Sequence, residues 1–157
     1  MSGAGPLVPP AGLTIAIPTY RRPGAVARAL RAVLAEAPDA DGPVEILVID
    51  NDPHGSAREA VAEAAGSAPG AAVRYVVEPA PGVSAVRNRA LDETADRALL
   101  IFIDDDEEPE AGWLRRLLST RRDTGAAAVA GLVVPDYEAE PDPWLRAGGF
   151  FDRQSWP

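Results

Sequence analysis

The chain contains no cysteine and no lysine, and each absence excludes a class of chemistry. Without cysteine there is no disulfide, no thiolate zinc site and no cysteine nucleophile. Without lysine there is no Schiff-base amine and no P-loop lysine to bind phosphates, because all fifteen basic residues are arginine. Any reaction must therefore rely chiefly on carboxylates, hydroxyls, amides and guanidinium groups.

Long apolar runs and a basic surface are also missing. No run reaches the roughly 18 to 20 apolar residues of a membrane-spanning helix, and the N-terminus lacks the basic start and apolar run of a signal peptide. The net charge of -9 argues against a nucleic-acid partner, since such proteins usually present a basic face. We expect a cytoplasmic protein without a transmembrane segment, at most peripheral to a membrane.

The length of the chain allows one domain. Its 157 residues, 46% of them hydrophobic, suffice for one good core but not for two. Residues 1–12 are small, proline-rich and unpatterned, and we expect them to form a flexible leader.

Short apolar runs alternate with amphipathic stretches along the chain. The runs predict strands and the stretches predict helices, because their hydrophobic periods differ. The alternation predicts an α/β, Rossmann-like fold with a mostly parallel sheet and helices on both faces. Ligands of such sheets bind beyond the carboxyl ends of the strands. Strands are predicted at 13–17, 44–49, 72–77, 99–103 and 126–134, and helices at 24–36, 56–65, 84–94 and 110–122.

Three adjacent carboxylates, Asp104, Asp105 and Asp106, directly follow the apolar run at 99–103. Acids at the end of a buried strand are costly unless a positive group meets them. Side chains alternate along an extended chain, so Asp104 and Asp106 are expected on the same side. Hard oxygen ligands of this kind suit Mg²⁺ or Mn²⁺ with a bound phosphate. The alternative is an acidic turn that caps the next helix.

Polar groups also follow the other predicted strands. Each has an ordinary structural alternative: a wedged tyrosine, solvated arginines, an Asx turn at an aspartate, a glycine needed only for its backbone angle, or an arginine paired with a nearby acid. The coincidence of four such strand ends favours a shared ligand site. The residues at these strand ends, polar apart from Pro18 and Gly82, are Pro18, Thr19, Tyr20, Arg21 and Arg22 after the first strand, Asp50, Asn51 and Asp52 after the second, and Gly82, Arg87 and Asn88 after the third.

These four strand ends resemble the family 2 glycosyltransferases of the GT-A fold. The resemblance rests on the stretches 15–23, 48–51, 82–90 and 102–106, with Pro109 and Trp113 beyond them, and it covers about residues 13–134. A lone DxD motif is weak, whereas four strand ends in the family's order are specific. The resemblance implies a donor-binding domain that takes a nucleoside-diphosphate sugar, most simply a UDP-sugar.

The resemblance also implies roles for the individual residues. Pro18, Thr19 and Tyr20 would line the base and ribose, and Arg22 would lie near the phosphates. Among the acids, Asp106 would hold Mg²⁺ or Mn²⁺, and Asp104 would belong to the same metal site, facing the ribose or a metal-bound water. The remaining substrate-binding residues would be Asp50 on the base, Gly82 where the chain approaches the nucleotide, Arg87 and Asn88 beside base or ribose, and Asp105.

The family is an inverting one, so a carboxylate base should activate the acceptor hydroxyl. No obvious acidic pair follows the DxD motif, and Asp136 is only a weak candidate. We therefore expect the base and most of the acceptor site to lie outside this chain, with residues 135–157 as the start of an acceptor region or a truncated tail. The large apolar residues of this tail need a cover, which would be either a second copy of the chain, and so self-association, or the domain itself: Trp144, Phe150, Phe151 and Trp156.

Other functions fit less well. A phosphatase with an aspartyl nucleophile would use the same Asp104-x-Asp106 pattern, but Glu108 stands where that chemistry usually has threonine or valine. A nucleotidyltransferase would want a glycine-rich basic loop after the first strand. A non-catalytic nucleotide-sugar-binding or assembly module is the alternative from a different class, and a transfer assay with Mn²⁺ separates it from an enzyme.

Overall fold

The computed structural model describes residues 12–66, 71–137 and 139–149. Strands and helices alternate through residue 124, as predicted. The elements are β1 (Leu13–Thr19), α1 (Pro23–Glu36), a short 3-10 helix (Ala37–Asp39), β2 (Val44–Asp50), α2 (Arg58–Gly66), β3 (Ala72–Val77), α3 (Val83–Glu93), β4 (Leu99–Phe102), α4 (Trp113–Thr124) and α5 (Pro143–Gly148).

The four strands form one sheet in the order β3-β2-β1-β4, and every pair is parallel. Leu13 lies opposite both Val44 and Leu99, so β1, β2 and β4 start level with one another. Their carboxyl ends consequently meet at one edge of the sheet. The α/β prediction with a parallel sheet is confirmed.

Helices cover both faces of the sheet, because the central strands are apolar on both sides. On one face, Ile15 and Val48 pack with Leu30 of α1, and α2 and α4 complete that layer. On the other face, Leu47 and Ile49 pack with Val86 of α3. This arrangement buries β1 and β2 most deeply and fixes the positions of their ends.

The carboxylate of Glu36 anchors α4 against α1. Glu36 is buried, and its two oxygens accept hydrogen bonds from the backbone N–H groups of Gly112 (3.1 Å) and Leu114 (3.3 Å). These N–H groups belong to the first turn of α4 and have no partner within the helix. The start of α4, which follows the acidic turn at 104–106 along the chain, is therefore tethered to the core.

The predicted strand at 126–134 is wrong. The structure has no strand there, and Leu132, Val133 and Val134 are exposed. A strand needs a neighbour for its backbone donors and acceptors, and this segment pairs with none of the four strands described. Its alanines and glycines also offer little apolar surface to bury. Among the helices within the described ranges, none is long and apolar enough to cross a membrane.

Candidate active site

A cavity of about 330 Å³ opens at the carboxyl edge of the sheet, where the sequence predicted the ligand site. It lies between the ends of β1 and β2, the first turns of α3 and the acidic turn after β4. Most predicted site residues meet there, and three others join them. The lining consists of Pro18, Thr19, Tyr20, Arg22, Arg87, Asp104, Asp105 and Asp106, together with Asn51, Val83 and Val86.

The three aspartates after β4 occupy a turn, not the continuation of the strand. β4 ends at Phe102, and the Glu107 N–H donates to the carbonyl of Asp104 (3.1 Å) to close the turn. Asp105 is buried, whereas Asp104 and Asp106 are exposed and face the cavity with it. The expectation of an extended Asp104-x-Asp106 segment was wrong in its backbone geometry, although both acids line the cavity.

Asp105 connects this turn to the end of β1. Its Oδ2 accepts a 2.6 Å hydrogen bond from the hydroxyl of Thr19, which is also buried. Its Oδ1 accepts from Nη1 of Arg22 at 3.2 Å. A buried carboxylate with two such partners holds the two sides of the cavity together.

Arg22 lies between two of the acids. Its Nη1 contacts Asp106 Oδ2 at 3.0 Å as well as Asp105 Oδ1. The hydrogen bond to Asp106 and the charge of Asp105 raise the pKa of the Arg22 guanidinium. The positive charge that the sequence required at these acids is thus supplied, in this state, by a side chain of the protein.

Asp50 does not reach the cavity. It is fully buried, and its Oδ1 accepts from the N–H of Asp52 (2.9 Å), which is the hydrogen bond of an Asx turn. Its Oδ2 accepts from the N–H of Ala57 (2.8 Å) and the hydroxyl of Tyr75 (2.6 Å). Burial, and then the bond to Asp50, raise the pKa of Tyr75. The geometry thus supports the structural alternative for Asp50 over a contact with the base.

The next residue, Asn51, lines the cavity in its place. Its Nδ2 donates to the carbonyls of Glu78 (2.8 Å) and Ala80 (2.7 Å), and its Oδ1 accepts from the N–H of Gly82 (2.9 Å). These bonds fix the loop that leads into α3. Successive side chains point to opposite faces of a strand, and this alternation could have separated Asn51 from the inward-facing Asp50.

The candidate residues of α3, together with Gly82 just before it, divide into three groups. Arg87 lines the cavity, with its guanidinium carbon 5.6 Å from the centroid of the Phe102 ring. Val83 and Val86, which the sequence reasoning missed, add an apolar wall. Gly82 has φ 110°, a value that favours glycine, and Asn88 is exposed; neither lines the cavity.

The acids fit a divalent metal only as a partial ligand set. No group of three or more acidic or histidine side chains converges in the part of the chain that the structure describes. Asp104 and Asp106 are nevertheless exposed oxygen donors on the cavity. Mg²⁺ and Mn²⁺ are commonly held by one or two carboxylates plus substrate phosphates, so the donor chemistry fits.

The remaining predictions concern the C-terminal stretch. Asp136 is exposed and follows an irregular segment, with no strand before it. Trp144 is 63% exposed and lies in α5. Phe150, Phe151 and Trp156 lie outside the described residues, as does the leader up to residue 11. The domain boundary at 134 and self-association therefore stay predictions.

Comparison with known proteins agrees with the geometry. The model of the family described as "Glycosyl transferase family 2" matches residues 14–155. The succinoglycan biosynthesis protein ExoM of Rhizobium meliloti (strain 1021) is 38% identical over 138 residues, which are 88% of this chain and 44% of ExoM. The structure of Staphylococcus aureus TarS residues 1–349 superposes with a TM-score of 0.57 at 18% identity, over 79% of this chain and 38% of that one. The chain thus spans less than half the length of either relative.

Proposed function

The chain belongs to glycosyltransferase family 2 and has the GT-A type of fold, and we propose that it binds a nucleoside-diphosphate sugar for transfer to an acceptor with inversion. The observation that carries the proposal is the cavity at the carboxyl edge of the sheet. It combines an aromatic ring, an apolar wall, two arginines and exposed carboxylates. A nucleotide sugar offers partners for these groups: the base and ribose for the ring and the apolar wall, and the diphosphate for the arginines and, through a metal ion, for the carboxylates.

The base and ribose would lie on the side formed by β1 and α3. Tyr20 is about half exposed there, which leaves ring surface for stacking. Pro18 and Val86 add apolar contacts. Asn51 can present an amide edge only in part, because three backbone groups already use its side chain. We therefore assign Asn51 mainly to shaping the loop before α3, and we retain uridine as the first base to test.

The diphosphate would lie between Arg22, Arg87 and the acidic turn. Asp104 and Asp106 would hold Mg²⁺ or Mn²⁺ there, and such an ion supplies Lewis-acid stabilisation of the departing nucleoside diphosphate. The two arginines add positive charge to an otherwise acidic chain, so the phosphates meet a locally favourable field. Asp105 keeps Arg22 within reach of this position through the 3.2 Å contact.

Transfer also needs an acceptor and a catalytic base. Inversion requires a carboxylate near the attacking hydroxyl, and Asp136 is the weak candidate that the sequence offers. Acceptor identity, cytoplasmic location and self-association are likewise predictions. Binding of donor without transfer would favour the alternative of a non-catalytic nucleotide-sugar-binding module.

Isothermal titration calorimetry with UDP tests the binding half of the proposal. We expect measurable affinity with Mn²⁺ and much weaker affinity after the metal is chelated, because Asp104 and Asp106 otherwise repel the phosphates. Equal affinity in both conditions would remove the metal from the proposal. Release of UDP from a panel of UDP-hexoses then tests transfer to water or to an added acceptor.

A further inference from the structure

Arg21 adopts a backbone conformation that arginine rarely takes. Its φ is 54°, and among the described residues no other non-glycine has a positive φ. This left-handed region strains a residue with a side chain, and asparagine or glycine occupies it more easily. Strain of this kind often accompanies a functional site. Arg21 lies between Tyr20 and Arg22, both of which line the cavity.

The side chain of Arg21 connects Tyr20 to a fixed carboxylate. Its guanidinium carbon lies 5.0 Å from the centroid of the Tyr20 ring, within the range of a cation-π contact. Its Nε lies 3.4 Å from Oδ2 of Asp52, whose side chain is 6% exposed. The turn that begins at Asp52 holds this carboxylate, since the N–H of His54 donates to Oδ1 at 3.2 Å. That bond, with smaller contributions from the Ser56 hydroxyl and the charge of Arg21, lowers the pKa of Asp52.

An exposed aromatic ring without support loses rotamer freedom when a ligand stacks on it. Tyr20 is 52% exposed, so without support this loss of rotamer freedom would weaken ligand binding. A ring already held by a neighbour has given up that freedom beforehand, which improves affinity without any new ligand contact. Arg21 lies over one face of the ring, while Tyr20 is still about half exposed and lines the cavity.

We propose that Arg21, held by Asp52, is a positioning residue that presets the Tyr20 ring for stacking against the nucleobase of the donor. The inference rests on the proposed function, because it assumes that a nucleotide occupies the cavity. It assigns a role to two residues, Arg21 and Asp52, that neither line the cavity nor belong to the acidic turn.

The decisive variant is Arg21→Asn, made in the full chain. Asparagine accepts the positive φ, so we expect the melting temperature to be unchanged or higher. The dissociation constant of UDP with Mn²⁺ should rise roughly two- to fivefold, the size of one exposed cation-π contact. The dissociation constant of inorganic pyrophosphate with Mn²⁺ should stay constant, because pyrophosphate has no base to stack.

Two further variants separate positioning from loss of charge. Arg28→Gln removes a positive charge from α1, where Arg28 pairs only loosely with Glu108 at 3.6 Å, and should leave the UDP-to-pyrophosphate ratio unchanged. Asp52→Asn keeps an acceptor for the His54 N–H but loses the charge that holds Arg21. It should weaken UDP binding in the wild-type background and have no further effect on UDP binding in the Arg21→Asn background. A double-mutant cycle gives this result when Asp52 acts only through Arg21.

The possible results are distinct. If the Arg21→Asn variant binds UDP like the wild type, or if its affinities for UDP and pyrophosphate fall equally, Arg21 does not position the ring. If the effects of Arg21→Asn and Asp52→Asn simply add, Asp52 does not act through Arg21. If the wild-type chain binds pyrophosphate with Mn²⁺ but none of UDP, dTDP or GDP, both this inference and the proposed function fail, whereas UDP binding insensitive to Arg21 overturns the inference alone.

Discussion

The turns after β2 and β4 are both rich in aspartate, yet their carboxylates do different things. At the end of β2, Asp50 is fully buried and both its oxygens accept hydrogen bonds from the protein itself. After β4, Asp104 and Asp106 are exposed on the cavity, and only Asp105 is buried. An acid with filled acceptor sites organises a turn, whereas one that still faces solvent can serve a ligand. The hydrogen-bond inventory, more than the motif, separates the two roles.

Among the tests of this comparison, Asp50→Ala is expected to have the largest effect on stability. The substitution leaves the Tyr75 hydroxyl and the N–H groups of Asp52 and Ala57 without their acceptor. Loss of a buried, charged acceptor of several hydrogen bonds should lower the free energy of unfolding by about 3 kcal/mol or more. Urea denaturation measures this loss.

Tyr75→Phe is the matched control for Asp50→Ala, because it removes one of these bonds and should cost only about 1 kcal/mol. A stably folded Asp50→Ala variant with weakened UDP binding would contradict the structural role and return Asp50 to the base.

The next effect concerns the exposed acids. Asp106→Ala should weaken UDP binding in Mn²⁺ by at least about tenfold. The melting temperature should stay nearly unchanged, because relief of repulsion between crowded acids offsets the loss of the exposed ion pair with Arg22. Glu108→Ala removes a nearby exposed acid that does not line the cavity, and should leave binding unaltered. Unfolding of the Asp106 variant, or unchanged binding, would place this acid with the structural ones.

The turn at Asp50 should also make the stability of the protein depend on pH at high pH, through its hydrogen bond with Tyr75. The pKa of Tyr75 is raised by burial and by Asp50, so its protonated form is favoured in the folded state. A raised folded-state pKa contributes stability that is complete below the unfolded value near 10 and is lost as the pH climbs above it. Denaturation midpoints should therefore fall above about pH 10, and Tyr75→Phe should fall less steeply. Parallel pH profiles for both proteins would mean that Tyr75 does not control the turn.

Much of the fold could be predicted because apolar periodicity reports burial. The strand at 72–77 was predicted with its observed limits, and the helices at 24–36 and 84–94 within one residue at each end. Side-chain direction was harder. The helical period over 24–36 places Glu36 on the polar face with Arg28 and Arg31, but in the structure Glu36 is buried and accepts hydrogen bonds from the start of α4. Its partners come from a segment 76 residues later, which no local pattern reveals.

The same limit applied to the candidate site. Topology alone predicted which strand ends meet, and so brought Thr19, Arg22 and Asp104 to one cavity. Topology did not predict that the Thr19 hydroxyl and Arg22 would both donate hydrogen bonds to Asp105. Nor did it predict that the Tyr75 hydroxyl would donate one to Asp50. Such contacts depend on rotamers chosen by packing across the whole fold. The strand prediction at 126–134 was wrong for a related reason. Apolar content predicts a strand only where a neighbouring strand can pair with it.

The smallest expected effect tests whether the acids after β4 are available to a ligand even while Arg22 contacts them. Nη1 of Arg22 lies 3.0 Å from Asp106 Oδ2, so a metal that binds Asp106 must displace that contact or share the carboxylate with a like charge. Arg22→Gln should therefore bind Mn²⁺ roughly two- to fivefold more tightly in the absence of nucleotide, the scale of an exposed ion pair. The same variant should bind UDP with Mn²⁺ more weakly, because it loses a charge near the phosphates.

Titration of Mn²⁺ followed by electron paramagnetic resonance measures the first effect, and Arg28→Gln controls for the change in net charge. Unchanged or weaker Mn²⁺ binding by Arg22→Gln would show that Arg22 and the metal do not compete, and that Asp106 is not a ligand in the nucleotide-free protein.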